Sequence, residues 1–89
     1  MITAKEASEK LKEEKIKIAQ ANQKHAEMIC ETDFSQWIIE AIEHGQSFVY
    51  DTREEYACNQ DLRNKVIDYL EKRGYFILET SNKVVGVKW

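Results

Sequence analysis

Two histidines and two cysteines are the side chains in this sequence best suited to bind a metal ion or act in nucleophilic catalysis. They are His25, His44, Cys30 and Cys58. A structural zinc site needs four such ligands that converge on one point. His25 and Cys30 lie five residues apart, which turns a helix by about 500°, so one helix face does not present both. No spacing places a cysteine beside a histidine base either. We therefore predict no metal site.

Carboxylates and glycines give no catalytic pattern. Glu13-Glu14 and Glu54-Glu55 are adjacent in sequence, so their side chains point apart on a helix. The three glycines stand singly at positions 45, 74 and 86, and none belongs to a glycine-rich phosphate loop. We predict no catalytic residue, no cofactor and no enzymatic activity.

The composition indicates a single folded domain over residues 1–89. Hydrophobic residues make up 43% and charged residues 33% of the chain, as in ordinary soluble proteins. The net charge of −3 does not favour nucleic acid as a partner, since nucleic-acid binders are normally basic. No apolar run approaches the roughly 20 residues of a membrane span, and the charged start lacks the apolar middle of a signal peptide. We expect a cytoplasmic protein with free thiols and no membrane partner.

The first predicted element is a long helix within residues 1–31. Thr3 is its expected N-cap, with Glu6 as the capping-box partner. A heptad pattern follows, which is typical of a coiled coil although Glu14 and His25 interrupt it. Its positions are Ala4, Ala7, Leu11, Glu14, Ile18, Ala21, His25 and Met28. A 28-residue helix is about 42 Å long, and a body of residues 32–89 is about 25 Å across. We expect the helix either to protrude and pair, as a homo-oligomer or with another protein, or to pack partly on its own body.

The candidate interface residues are the larger side chains of this helix together with one residue of the next. They are Leu11, Ile16, Ile18, His25, Met28 and Ile39.

A second, amphipathic helix is predicted to begin at the N-cap Asp33, with Gln36 completing a capping box, and to end at Gly45. Residues 47–51 are rich in β-favouring side chains and predict a short strand. A third helix is predicted to start at Asp51 or Thr52, with Thr52 and Glu55 as a capping box, and to end at Gly74. That helix either runs unbroken over residues 53–73 or breaks near Asn59, and the pattern slightly favours the break.

The sequence then predicts a β-hairpin with strands at residues 75–80 and 84–89 and a turn at residues 81–83. A four-residue loop would pair Leu78 with Val87 and Phe76 with Trp89, which makes Trp89 part of the core. The fold class is thus α+β, with helices on one face of a small antiparallel sheet. The predicted core consists of Phe34, Trp37, Ile38, Ile42, Phe48, Leu62, Val66, Leu70, Phe76, Leu78, Val85, Val87 and Trp89.

Both ends of the chain resemble a loose group of small proteins of tailed bacteriophages. The resemblance lies in the opening "MITAKEA" and in "YLEKRGYFI…VVGVKW", with matching residues Ile2 to Ala7, Leu70, Gly74, Tyr75 and Trp89. It implies a viral origin and an accessory role in the bacterial host cell.

Within that setting the expected function is non-enzymatic protein binding, directed at a host or antiviral-defence component. The alternatives are a virion structural or assembly subunit, a winged-helix DNA-binding regulator, and an oligomeric sponge for a nucleotide signal. The winged-helix alternative would use Arg63, Lys65, Lys72 and Arg73 of the third helix to contact DNA.

Overall fold

A computed structural model describes residues 1–79 and 84–89 and confirms the α+β class. In chain order, helix α1 spans Ala4–Met28, a π-helical turn spans Ile29–Phe34, and helix α2 spans Ser35–Glu43. Strand β1 (Phe48–Asp51), helix α3 (Glu55–Cys58) and helix α4 (Gln60–Lys72) follow. Strands β2 (Phe76–Glu79) and β3 (Val85–Lys88) complete the described elements.

The first three helical segments form one unbroken long helix from Ala4 to Glu43. Met28 and Phe34, at the two ends of the π-helical turn, keep right-handed helical φ and ψ angles. The predicted new helix start at Asp33 is therefore wrong. The Asp33 carboxylate accepts a hydrogen bond from Arg53 Nη2 at 2.7 Å, and Ser35 Oγ donates to the Cys30 carbonyl oxygen at 3.0 Å inside the π-helical turn. Such a turn inserts residues into a helix without ending it.

Thr3 is confirmed as the N-cap of α1, since its hydroxyl accepts a hydrogen bond from the Glu6 amide at 3.2 Å. The break near Asn59 is also confirmed. Asn59 leaves the helical region with φ −140° and ψ 82°, and its side-chain oxygen caps α4 by accepting from the Leu62 amide at 3.1 Å. The predicted start at Asp51 or Thr52 is wrong, because Asp51 belongs to β1 and α3 begins at Glu55 after Glu54.

The core lies between the second half of α1, the π-helical turn, α4 and one face of the sheet. Of the predicted core residues, Phe34, Ile38, Leu62, Val66, Leu70, Val85 and Val87 are confirmed as buried. Trp37 is half-buried and packs against this core. Sequence analysis missed several buried members, namely Ala26, Ile29, Cys30, Ala41 and Tyr56.

Among the described residues the sheet has the order β1-β3-β2, with both pairs antiparallel. Strand β3, the second strand of the predicted hairpin, is therefore central and pairs on both sides. Phe76 lies opposite Lys88 and Ile77 opposite Val87, and an irregularity follows between Ile77 and Glu79. The predicted pairs Leu78–Val87 and Phe76–Trp89 are wrong by one residue, which places Phe76 and Leu78 on the face opposite to the predicted one. The predicted turn at residues 81–83 lies outside the described residues.

Five predicted core residues are exposed. On the strands, Phe48, Phe76 and Leu78 point away from the helices, because alternate residues of a strand face opposite sides and Val49, Ile77 and Val87 take the inner face. Ile42 is exposed because it lies about 80° around the helix from Phe34, outside the narrow stripe that contains Ile38.

Trp89 is also misassigned to the core, with 36% of its surface exposed. Its position is held by the backbone, since its amide donates to the Ser47 carbonyl oxygen at 3.1 Å. Its ring meets Tyr75 edge-on with the centroids 6.2 Å apart. The residue thus joins β3 to the start of β1 at the rim of the sheet and does not fill the core.

Arg53 connects the end of β1 to the long helix through a largely buried polar network. Its Nε donates to Asp51 at 2.7 Å and its Nη2 donates to Asp33 at 2.7 Å. The Tyr56 hydroxyl donates to the same Asp51 oxygen at 2.6 Å. Burial raises the pKa of Tyr56, and the hydrogen bond to Asp51 raises it further, so the hydroxyl stays protonated as a donor. Burial alone would lower the pKa of Arg53, but the bonds to Asp33 and Asp51 outweigh it and the pKa is raised.

We predict that Arg53→Met lowers the free energy of unfolding by about 3 kcal/mol, because it leaves the buried Asp51 carboxylate without its cation. Lys72→Met is the control. Lys72 pairs with Asp68 at 2.8 Å with both side chains in solvent, and the loss there should stay below about 0.5 kcal/mol. Chemical denaturation of both variants measures the difference, and equal losses would contradict the role given to Arg53.

Candidate interaction surface

The first half of α1 extends beyond the rest of the protein. Every side chain from residue 1 to residue 18 is exposed, and the first buried side chain along the helix is Asn22. The molecule measures 61 × 21 × 18 Å, and the 40 residues of the long helix account for about 60 Å of that length. We call residues 4–18 the arm.

The face by which α1 packs on its own body continues without a partner along the arm. Asn22, Ala26 and Ile29 are buried in the α1–α4 contact. Ile18 precedes Asn22 by four residues and Ile29 by eleven, and Leu11 precedes Ile18 by seven. These spacings are close to whole numbers of helical turns, so all four side chains lie on one face of the helix. We call this face the stripe. It is the apolar side of a helix–helix interface whose second helix, α4, begins only at Gln60, level with Asn22.

The six predicted interface residues do not form one surface. Leu11 and Ile18 share the stripe and are 55% and 56% exposed. Ile16, 59% exposed, lies two residues from Ile18 and hence on the other side of the helix. Three further residues lie away from the arm. His25 is half-buried with its Nε2 3.5 Å from Glu55, Met28 is exposed beside the stripe, and Ile39 is exposed on α2.

Charged side chains of both signs lie on and beside the stripe. Lys15 precedes Asn22 by seven residues and therefore lies within the stripe. Lys12 lies at one edge, and Glu14 lies at the other with its carboxylate 3.6 Å from Lys17 Nζ. Glu6, Glu9 and Glu13 fall on the opposite side of the helix. The apolar residues of the arm therefore have both basic and acidic neighbours.

A polar network closes the α1–α4 contact at the base of the arm. The Asn22 amide donates to Asp61 at 2.9 Å and to Asn59 at 3.4 Å, and it accepts from Asn59 Nδ2 at 2.8 Å. The hydrogen bond from Asn22, aided by Lys65, lowers the pKa of Asp61. Sequence reasoning missed this site. The available signal was an asparagine one turn after Ile18, on the face that should have been apolar.

A second exposed apolar surface lies on the outer face of the sheet, and we call it the sheet face. It carries Phe48, Tyr50, Phe76 and Leu78, with Lys88 between two of the rings. The Phe48 and Tyr50 rings meet edge-on at 5.8 Å, and the Tyr50 ring covers Gly86 so closely that a Cβ there would lie 2.5 Å from it. Lys88 Nζ lies 6.0 Å from the centre of the Phe76 ring. Their exposed fractions nevertheless range from 41% for Leu78 to 65% for Phe76, so the sheet face stays open to solvent.

In the described part of the chain no group of three or more His, Cys, Asp or Glu side chains is arranged to hold a metal ion. Cys30 is buried against α4, with its Sγ 3.9 Å from the Val66 carbonyl oxygen, whereas Cys58 is exposed. His44 Nδ1 lies 2.8 Å from the Glu40 carbonyl oxygen in α2. Within residues 1–79 and 84–89, no helix has the length and apolar character required to cross a membrane.

Comparisons with protein-family models, with curated proteins and with solved structures found no match to this chain.

We predict that the two thiols react with alkylating reagents at very different rates. Burial raises the pKa of Cys30 to about 12, so near neutral pH this thiol is both protonated and inaccessible. Cys58 should react first, and Cys30 only when the chain unfolds. Timed alkylation followed by peptide mass spectrometry gives both rates, and Cys58→Ser isolates the slow one. Rapid labelling of Cys30 in the native protein would contradict its place between α1 and α4.

Proposed function

We propose that this protein acts by binding another protein chain and that the arm is its docking element. One observation carries the proposal: the stripe that packs on α4 between Asn22 and Ile29 continues along the arm, where α4 no longer covers it. A helical interface that continues past the end of one partner is suited to receive a second one. The role is binding without catalysis, in keeping with the sequence expectation.

The arm is suited to docking because it is already helical. Thr3 caps it, and Ala, Glu and Lys dominate its sequence, which are strong helix formers. Little ordering is therefore needed when a partner binds. Burial of a Leu or Ile side chain contributes about 1.5–3 kcal/mol, so Leu11 and Ile18 would supply part of the apolar gain on binding, and further contacts along the arm would supply the rest.

The resemblance to small phage proteins directs the proposal to a host or defence protein as partner, with a virion subunit as the alternative. The winged-helix alternative has less support. Lys65 of α4 pairs with Asp61 at 3.0 Å and Lys72 pairs with Asp68 at 2.8 Å. A helix that binds DNA needs such cations for phosphates.

The arm offers a matched control for its own test, because Ile16 equals Leu11 and Ile18 in exposure but lies on the other face. We expect a photoreactive residue at position 11 or 18 to crosslink to a partner in the cells where the protein acts, and the same residue at position 16 not to. Mass spectrometry identifies the adducts.

The paired substitution L11E/I18E should abolish co-purification of that partner, and Ile16→Glu should leave it intact. Glutamate preserves helix propensity, and circular dichroism verifies that each variant keeps its helical content. Identical adducts from positions 11 and 16, or unchanged co-purification with L11E/I18E, would remove the arm as docking element.

A further inference from the structure

We propose that the cleft between helix α2 and the outer edge of strand β1 binds an extended peptide segment of another protein. The segment adds to the sheet as a further strand beside β1 and places a basic side chain against Glu40. This surface is separate from the arm and does not depend on it. Two observations carry the proposal, namely the backbone groups along the edge of β1 and the carboxylate that lines the cleft.

Strand β1 lies at an edge of the sheet, and among the described strands it pairs with β3 alone. The Ser47 carbonyl oxygen accepts from the Trp89 amide at 3.1 Å, so these two residues form a hydrogen-bonded pair of the ladder. Such pairs alternate along antiparallel strands, so Val49 also turns its N–H and C=O toward β3, whereas Phe48 and Tyr50 turn theirs away. No hydrogen bond within the described residues engages these outward groups. Their spacing is the one that an extended chain matches.

A cleft of about 400 Å³ runs along this edge between β1 and α2. Phe48, Val49 and Tyr50 all line it although their side chains alternate between the two faces of the sheet, so the cleft follows the edge that they share. The opposite wall is the side of α2 that carries Trp37 and Glu40. A strand added about 4.8 Å from β1 would therefore point every second side chain toward α2.

The charge of the cleft favours a basic side chain at that position. Glu40 accepts a hydrogen bond from Gln36 Nε2 at 3.1 Å and has no ion-pair partner among the described residues. His44, on the same wall, has its Nδ1 2.8 Å from the Glu40 carbonyl oxygen. The Arg53 guanidinium, 5.9 Å from the centre of the Trp37 ring, is already paired with two aspartates. A Lys or Arg of the added strand would thus meet a carboxylate that has no cation of its own.

A second copy of this chain fits the cleft poorly. The edge strands that it offers within the described residues are β1 (FVYD) and β2 (FILE), and each contains a carboxylate and no basic residue. Pairing of two β1 edges would also bring both copies of Glu40 to one junction, where like charges repel. Strand β2 has an irregularity between Ile77 and Glu79, which makes its edge less suited to pairing. The occupant is therefore a segment of a different protein.

Two seven-residue peptides test the inference with the full 89-residue protein. Both begin with valine and alternate it with threonine, except that the central residue is arginine in one and glutamate in the other. The valines would lie beside Phe48 and Tyr50, and the central residue would face Glu40. In NMR titrations we expect the arginine peptide to bind about ten-fold more tightly and to slow solvent exchange of the Phe48 and Tyr50 amides. Equal affinities, no binding at millimolar concentration, or no slowing at these amides would overturn the inference.

N-methylation of the arginine peptide tests the strand pairing itself. In an added strand, alternate amides face β1 and the others face solvent. One peptide is methylated at the amides of the two inner valines, and the other at the amides of arginine and a threonine. Only one of them should keep its affinity. Equal loss or equal retention would show that no strand is added.

Glu40→Gln and Glu43→Gln form a matched pair for the charge selection. Both remove one exposed carboxylate from α2, but Glu43 does not line the cleft. E40Q should remove most of the preference for the arginine peptide, and E43Q should keep it. An equal response would trace the preference to the net charge of the protein and contradict the role given to Glu40.

The arm variant L11E/I18E separates this inference from the proposed function. It should leave peptide binding unchanged, and loss of binding would place the peptide on the arm and overturn the inference. Failure of the peptides to bind, together with loss of the co-purified partner in L11E/I18E, would remove the cleft and leave the proposed function standing. Without peptide, protection of the Phe48 and Tyr50 amides that rises with protein concentration would make a second copy the occupant and also overturn the inference.

Discussion

The parallel packing of the second half of α1 against α4 is the contact on which the rest of this structure depends. It begins at the Asn22–Asp61 hydrogen bond and continues through Ala26 and Ile29 to Cys30, whose thiol meets the Val66 carbonyl. Because α4 begins level with Asn22, residues 1–18 lie beyond it and extend into solvent. The arm is therefore a geometric consequence of where α4 begins, and Asn59 fixes that point as the cap of α4.

The π-helical turn makes this packing compatible with the sheet. A regular helix would bring the next apolar residues to a different angle, whereas the turn places Ile29, Cys30 and Phe34 all in the core. The same turn presents Asp33 to Arg53, which holds the end of β1 and the start of α3 through Asp51 and Tyr56. Loss of the Arg53 guanidinium would therefore weaken both the end of β1 and its attachment to the long helix.

Sequence patterns correctly predicted those parts of the fold that depend only on residues close together in the chain. The caps at Thr3 and Asn59 and the apolar spacing of Leu62, Val66 and Leu70 needed only neighbouring residues, and they were confirmed. Asp33 looked like a cap because aspartate with glutamine three residues later forms one locally. Its carboxylate instead bonds to a side chain twenty residues away, which no local pattern reveals. The face of β2 was wrong for a related reason, since a one-residue register change depends on a turn and an irregularity that the sequence does not specify.

The candidate site, too, could be predicted only in part from the sequence. The stripe could be predicted, because Leu11 and Ile18 stand at helical spacing. The exposure of Met28 and the burial of Ile29 could not, because they depend on which face α4 occupies.

Two exposed apolar surfaces are candidates for a functional role. On the sheet face, Phe48 packs on Tyr50, Tyr50 covers Gly86, and Lys88 lies near Phe76, so the exposed rings already have contacts within the protein. Leu11 and Ile18 lie about two turns apart on the projecting helix, on the face that α4 covers only from Asn22 onward. Phe76 is 65% exposed, more than Leu11 or Ile18, so exposure does not separate the two surfaces. The arm is favoured because its stripe continues a face that already packs helix against helix, and burial of that face would stabilise a complex.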